Sequence, residues 1–219
     1  MTDWTPVFDT AHLIAAGDAP APEVLQHINR TAAHIIAVDG GSAALAAADV
    51  KPDCIMGDMD SDAGRISAPK VVLPDQYKSD LEKAIDYLLH RGVKYFTLYG
   101  AHGGARTDHA IANLDLLTRY APHCRIKMAM GDAVVEGLCP ENTAPNGIRI
   151  STGQNDMIAT LPIGGPAVLT LRGAEYALEH AELQPGTAGV GNTAIADHIH
   201  IQIFRGAVRL VRMPEQNDA

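Results

Sequence analysis

Cysteine is scarce in this chain of 219 residues: Cys54, Cys124 and Cys139 are the full set. The number is odd and no two have CxxC spacing. That argues against a disulfide framework and for reduced thiols in a reducing compartment. Cys54 falls inside an apolar run, where a core role is expected. Basic residues are also short. Lys and Arg total 17 against 26 Asp and Glu, giving a net charge of −9. Nucleic-acid binding needs a basic face for phosphates, so no nucleic acid is expected as partner. An acidic protein that takes an anionic ligand must use metal ions or a few local cations, and its field suits a cationic second ligand. No run of about 18 apolar residues exists, so no membrane span is expected. Met1-Thr2-Asp3-Trp4 is acidic with no apolar run behind it, and the expectation is a cytoplasmic protein without a signal peptide.

What is present supports a full core. Apolar residues make up 47% of the chain, and the length allows one large domain or two modest ones. Residues 12–16, 34–38, 53–56, 70–73, 93–99 and 125–130 read as short apolar strands. Between them, 23–29, 43–48, 80–90 and 107–119 read as helices. Ser42 is a candidate cap for the second helix. Ser79 and Glu82 have capping-box spacing at the start of the third, and Leu81, Ile85, Leu88 and Leu89 form its apolar stripe. Strand–helix alternation predicts a mostly parallel, helix-covered sheet over residues 1–131. Near residue 132 the helical signals stop. Residues 133–138, 147–151, 157–161, 167–171, 198–204 and 207–212 then read as strands, with Phe204-Arg205-Gly206-Ala207 as a hairpin turn between the last two. Pro140, Asn142, Pro145 and Asn146 read as a linker, and residues 132–219 as an all-β, sandwich-like domain. Residues 62–69 are expected as loop and 215–219 as a frayed tail.

The acids and glycines cluster where parallel strands end, which is where ligands bind in open α/β sheets. Residues 34–38 close in Asp39-Gly40-Gly41, and 54–56 close in Gly57-Asp58-Met59-Asp60-Ser61. Asp58 and Asp60 stand at i and i+2, so an extended segment points both to one side. Paired carboxylates repel unless a cation lies between them or one is protonated. Mg²⁺ suits such a set, because it prefers carboxylate oxygens, water and phosphates. A solvated acidic turn is the plainer alternative. Asp80, opening the next helix, is a third metal candidate or a helix cap. Asp39, Gly40 and Gly41 allow backbone to approach a nucleotide, or make an ordinary strand–helix turn. Arg106 stands at a glycine loop, where a guanidinium can clamp phosphate, or else it pairs with Asp108 at the surface. His109 and Asn113 stand at i and i+4, on one helical face. His198 and His200 share a strand face, and ordinary surface histidines are the expected reading.

Taken together, these stretches resemble the thiamine pyrophosphokinase family. The resemblance rests on Asp39-Gly40-Gly41, Lys51-Pro52-Asp53 and Gly57-Asp58-Met59-Asp60-Ser61. It is extended by residues 75–84, similar to DQ-x-x-TD-x-x-KA, and by residues 100–109 with Asn113, similar to GA-x-GGR-x-DH-x-x-x-N. Ala105 separates Arg106 from the glycine pair, where the family has arginine directly after it, so either the loop is one residue longer or Arg106 reaches differently. Gly189-Val190-Gly191-Asn192-Thr193 is similar to the family's C-terminal G-x-SN, with Gly191 in place of serine. The resemblance implies transfer of the β,γ-pyrophosphate of ATP to the hydroxyl of thiamine, giving thiamine diphosphate and AMP. It implies Asp58, Asp60 and Asp80 as Mg²⁺ ligands and, with Arg106, as the catalytic set. Asp39, Gly40, Gly41, Arg106, Asp108, His109 and Asn113 would contact ATP, and Gly191 and Asn192 would contact thiamine. It also implies a homodimer with thiamine between subunits. Two other classes fit parts of the pattern: a different DxD-type metal-dependent nucleotide transferase, and a non-catalytic nucleotide- or thiamine-binding regulator.

Overall fold

A computed structural model describes residues 4–31, 34–60 and 66–215. Ser61, residues 62–65 of the loop expected at 62–69, and the tail beyond Glu215 lie outside the described residues. The chain divides into two compact units. One comprises Met1–Leu116 with Met128–Met130, the other Leu117–Lys127 with Gly131–Ala219. The first is an α/β unit with a helix-flanked parallel sheet; the second is rich in antiparallel strands.

In the first unit, β1 (Thr10–Ile14), β2 (His34–Val38), β3 (Cys54–Gly57), β4 (Lys70–Val72) and β5 (Tyr95–Tyr99) lie in the order β5-β1-β2-β3-β4. Each neighbouring pair in this order is parallel. Such strands are covered on both faces, which explains why they read as continuous apolar runs. All four residues of β3 are buried. Helices α1 (Pro22–Arg30), α2 (Ser42–Ala47) and α3 (Asp80–Leu89) supply connections, and α4 (Thr107–Tyr120) begins in this unit. Leu25 and Ile28 of α1 and Leu45 of α2 join Ile14, Ile35 and Ile55 of the strands in one core cluster. Burying each such side chain contributes about 1.5–3 kcal/mol.

The entry to α2 differs from the expectation. Ser42 is not its cap. Asp39–Gly41 forms a 3₁₀ turn, Gly41 takes the N-cap position, and Ser42 is buried inside the helix. The cause is a close approach: a Cβ on Gly41 would lie 1.9 Å from the Ile14 carbonyl oxygen. By contrast, Ser79 does cap α3, its hydroxyl accepting from the Glu82 N–H at 3.3 Å.

The second unit contains β7 (Ala133–Leu138), α5 (Pro140–Thr143), β8 (Ile148–Ser151), β9 (Met157–Arg172), β10 (Leu178–Leu183), β11 (Asn192–Thr193) and β12 (His198–Met213), while β6 (Arg125–Met130) divides between the units. β12 pairs antiparallel with β7, β8 and β9, and β9 with β10 and β11. Leu138, Ile158, Leu169, Ile199, Ile201 and Leu210 are among the residues of its core cluster.

Three readings of this half need correcting. Residues 157–161 and 167–171 belong to one strand of 16 residues, and so do 198–204 and 207–212. Phe204-Arg205-Gly206-Ala207 is no hairpin turn. Ala207 pairs with Ile163 and Arg205 with Val168, so residues 164–167 bulge opposite the single Gly206. Gly164 and Gly206 both have left-handed backbone, φ 74° and 77°. Glycine and proline here mark a shared bulge in two long strands, a known use of both residues. Finally, the supposed linker contains α5. Thr143 is buried, donates to the Cys139 carbonyl at 2.8 Å and accepts from the Ile203 N–H at 3.0 Å, tying this segment into the second unit.

Candidate active site

The loops after β1, β2 and β5, together with Asp60 and the start of α3, surround a cavity of about 400 Å³ in the first unit. Asp39, Asp60, Asp80, Arg106, His109 and Asn113 are among its lining residues. Seven positions named from the sequence therefore meet in one place, since Gly40 lines it too.

Asp39, Asp58 and Asp60 each offer a carboxylate oxygen, and the three oxygens lie within 4.8 Å of one another. Among the described residues this is the one such group of three or more metal-ligating side chains. The local backbone is unusual at each step. Asp39 has φ 45° and Met59 φ 71°, conformations that cost non-glycine residues about 1–3 kcal/mol and concentrate at functional sites. Gly57 has φ 151°, and a Cβ there would lie 3.0 Å from the Asp39 Cβ. Its lack of a side chain lets the Asp58–Asp60 loop close onto Asp39. Asp58 Oδ1 in turn accepts from the Asp60 N–H at 3.2 Å.

Asp80 stands beside this group rather than within it. Its Oδ1 accepts from the Asp58 N–H at 3.1 Å and lies 2.7 Å from the Lys83 ammonium. Lys83 is 6% exposed. Its Nζ also donates to the Asp75 carbonyl at 3.0 Å and lies 3.8 Å from Asp58 Oδ2. A buried ammonium is tolerated only when paired and hydrogen-bonded, and both conditions hold. Lys83 thus fixes Asp80, and Asp80 fixes the start of the acidic loop. Sequence reasoning assigned no role to Lys83. The available signal was its position in α3 among the buried Leu81, Ala84, Ile85 and Leu88, where a lysine needs a partner.

The glycine loop carries left-handed backbone at Gly100, Gly103 and Gly104, with φ 59°, 65° and 71°. Arg106 lines the cavity, yet its guanidinium is held by Asp108 in a two-pronged pair, Nε to Oδ1 at 2.9 Å and Nη2 to Oδ2 at 2.6 Å. Both side chains are about two-thirds exposed, 65% and 64%. The hydrogen bond from Arg106 holds the Asp108 carboxyl well below the usual carboxylate range, and the same pair raises the guanidinium. Arg106 thus lines the cavity while its guanidinium makes the expected pair with Asp108. Asn113 is buried, and its Nδ2 donates to the Ala101 carbonyl at 2.8 Å, pinning the loop to α4.

In the second unit, Gly191 has φ 81°, and the Asn192 side chain is largely engaged. Its Oδ1 accepts from the Tyr176 and Thr193 N–H groups, and its Nδ2 donates to the Tyr176 carbonyl, all at 2.9–3.0 Å. Asn192 thereby crosslinks backbone and leaves the Tyr176 side chain exposed. His198 contacts Asp197 and Arg149, and His200 meets the Asn146 carbonyl at 2.7 Å. All three cysteines are buried and free. Burial pushes the Cys54 and Cys124 thiols up to about 12 and Cys139 up to about 11.

Two family models and several solved structures match the chain. Residues 25–128 match the family "Thiamin pyrophosphokinase, catalytic domain", and residues 146–208 match "Thiamin pyrophosphokinase, vitamin B1 binding domain". Among solved structures, thiamine pyrophosphokinase from Bacillus subtilis is similar, with TM-score 0.77 and 21% identity over 94% of this chain and 100% of that one. The protein from Geobacillus thermodenitrificans matches with TM-score 0.77 and 20% identity over 95% and 99%. Thiamin pyrophosphokinase from Candida albicans matches with TM-score 0.75 and 14% identity over 94% and 89%. No curated protein sequence matches the chain.

Proposed function

Since the chain belongs to the thiamin pyrophosphokinase family and transfers pyrophosphate from ATP to thiamine, we propose that the cavity of its first unit is where the triphosphate is held. The observation that carries this reading is that Asp39 and Asp60 line one cavity with the glycine loop and Arg106, and that Asp58, though not in the cavity wall, brings a carboxylate oxygen within 4.8 Å of theirs.

Asp58 and Asp60 hold Mg²⁺, with Asp39 as the third nearby carboxylate and Asp80 as the residue beside them. A set of carboxylate oxygens fits a hard cation that retains waters and binds phosphate. When bound, the ion neutralises charge on the triphosphate. Arg106 exchanges Asp108 for phosphate, a swap between two anions of matching geometry for a guanidinium. Gly40, Gly41, His109 and Asn113 shape the nucleotide side, and the Gly191-Asn192 segment serves thiamine. Attack by the thiamine hydroxyl on the β-phosphorus expels AMP in line. Positioning and electrostatics carry most of the rate in such transfers, with reacting atoms brought to about 3–3.5 Å. A homodimer in the cytoplasm completes the proposal.

Titrating Mn²⁺ in the presence of ATP, read by electron paramagnetic resonance, tests the metal assignment. Wild type should bind the ion, and Asp58→Asn and Asp60→Asn should each lose most of that binding with an unchanged circular dichroism spectrum. Equal binding in all three proteins would refute it.

A further inference from the structure

Asp18 follows β1 and belongs to none of the stretches that resemble the family. Three hydrogen bonds link its turn to the glycine loop. The Gly17 N–H donates to the Gly100 carbonyl at 2.7 Å, and the Asp18 N–H donates to the His102 carbonyl at 2.8 Å. The Asp18 carboxylate, through Oδ1, accepts from the Gly104 N–H at 2.8 Å, across 86 residues of sequence. The fit needs bare glycine: a Cβ on Gly103 would lie 1.9 Å from Asp18 Oδ2. Gly103, Gly104, Ala105 and Arg106 all line the cavity, while Asp18 is not among its lining residues.

We infer that Asp18 is a positioning residue for pyrophosphoryl transfer, one that acts through the Gly104 N–H without touching substrate. It fixes the left-handed Gly103-Gly104 backbone in the shape that receives the triphosphate, and so it rests on the reading of this loop as the triphosphate site. The carboxylate restrains the loop at Gly104, two residues before Arg106. The opposite role is also physically defined. A carboxylate occupying an N–H that phosphate needs would compete with ATP, and its removal would tighten binding. Placement outside the cavity lining favours support over competition.

The two roles differ in sign, and substitution separates them. The side chain is 63% exposed, so variants there should fold. Asp18→Ala should raise the KM for ATP, and the Kd for a fluorescent N-methylanthraniloyl ATP with Mg²⁺, by about fivefold to tenfold, the worth of one net hydrogen bond. The KM for thiamine should stay put, and amide exchange across residues 100–106 should quicken. Asp18→Asn keeps an acceptor without the charge and should recover most of the wild-type values. An unchanged or lowered nucleotide Kd in Asp18→Ala would overturn the inference, as would an Asn variant no better than the Ala one. Arg106→Ala in the same assay isolates the premise. If it weakens nucleotide binding and Asp18→Ala does not, the Asp18 inference falls alone. If neither does, the triphosphate reading of the loop falls too.

Discussion

The two units use their polar residues differently. In the first, strands β1–β5 pair in parallel, and carboxylates and glycines gather in the loops where strands end. There Asp39, Asp58 and Asp60 stand close together with one buried lysine behind them. In the second, two antiparallel strands of 16 residues dominate, and the conspicuous amide, Asn192, is spent on backbone. One unit holds like charges together at some cost, and in the other the Asn192 amide is satisfied by neighbouring backbone. Charge strain marks chemistry, whereas satisfied crosslinks mark architecture. The comparison predicts that substitutions of the clustered carboxylates in the first unit damage rate more than stability, and that loss of the Asn192 crosslink in the second does the reverse.

The largest effect should come from Asp58→Asn or Asp60→Asn. Each should lower turnover by roughly 10³ or more, since metal-based charge stabilisation is worth several kcal/mol. Thermal stability should hold or rise, because one like charge has been removed. Steady-state kinetics beside calorimetry checks both halves, and a fall in melting temperature matching the fall in rate would break the comparison. Arg106→Ala should come next, with turnover down by up to about 10³ and ATP binding weakened. Unchanged ATP kinetics would mean that its pair with Asp108 is a surface feature only.

Lys83→Met sharpens the contrast, because it removes the one buried cation behind the acids. It should cost about 2 kcal/mol in urea unfolding, less than a fully buried pair since Asp58 and Asp80 are about a quarter exposed. Asn192→Ala should cost about 1–3 kcal/mol for the orphaned Tyr176 backbone. It should raise the KM for thiamine and move that for ATP little. Smallest is the thiol effect. With the folded thiols at about 11–12 and unfolded ones near 8.5, the unfolded chain loses these protons first. Their contribution to stability is full below about pH 8.5 and is lost as pH rises towards 11–12. At pH 8, Ellman's reagent should react slowly with native protein and rapidly once it is unfolded.

Legibility from sequence followed the range of the forces involved. Ser79 capping α3 was readable because the bond closes within three residues. β2 and β6 were readable to the residue, as apolar runs bounded by acids, glycine or polar residues. Asp18 was opaque because its partner is 86 residues away. The grouping of Asp39 with Asp58 and Asp60 was opaque for the same reason, since it depends on Gly57 letting two loops touch. In the second unit, Phe204-Arg205-Gly206-Ala207 looked like a turn, and only the pairing of β9 with β12 shows Gly206 opposite a bulge at residues 164–167. β10 was missed altogether. Its LEHAEL sequence has no fully buried position, so no apolar pattern announces it.

Product analysis after mixing ATP, thiamine and Mg²⁺ with wild-type protein and with Asp58→Asn tests the central claim most directly. AMP and thiamine diphosphate should appear in equal amounts with wild type, with ADP absent, and both should all but vanish with the variant. ADP as the nucleotide product, or undiminished AMP from Asp58→Asn, would contradict the account.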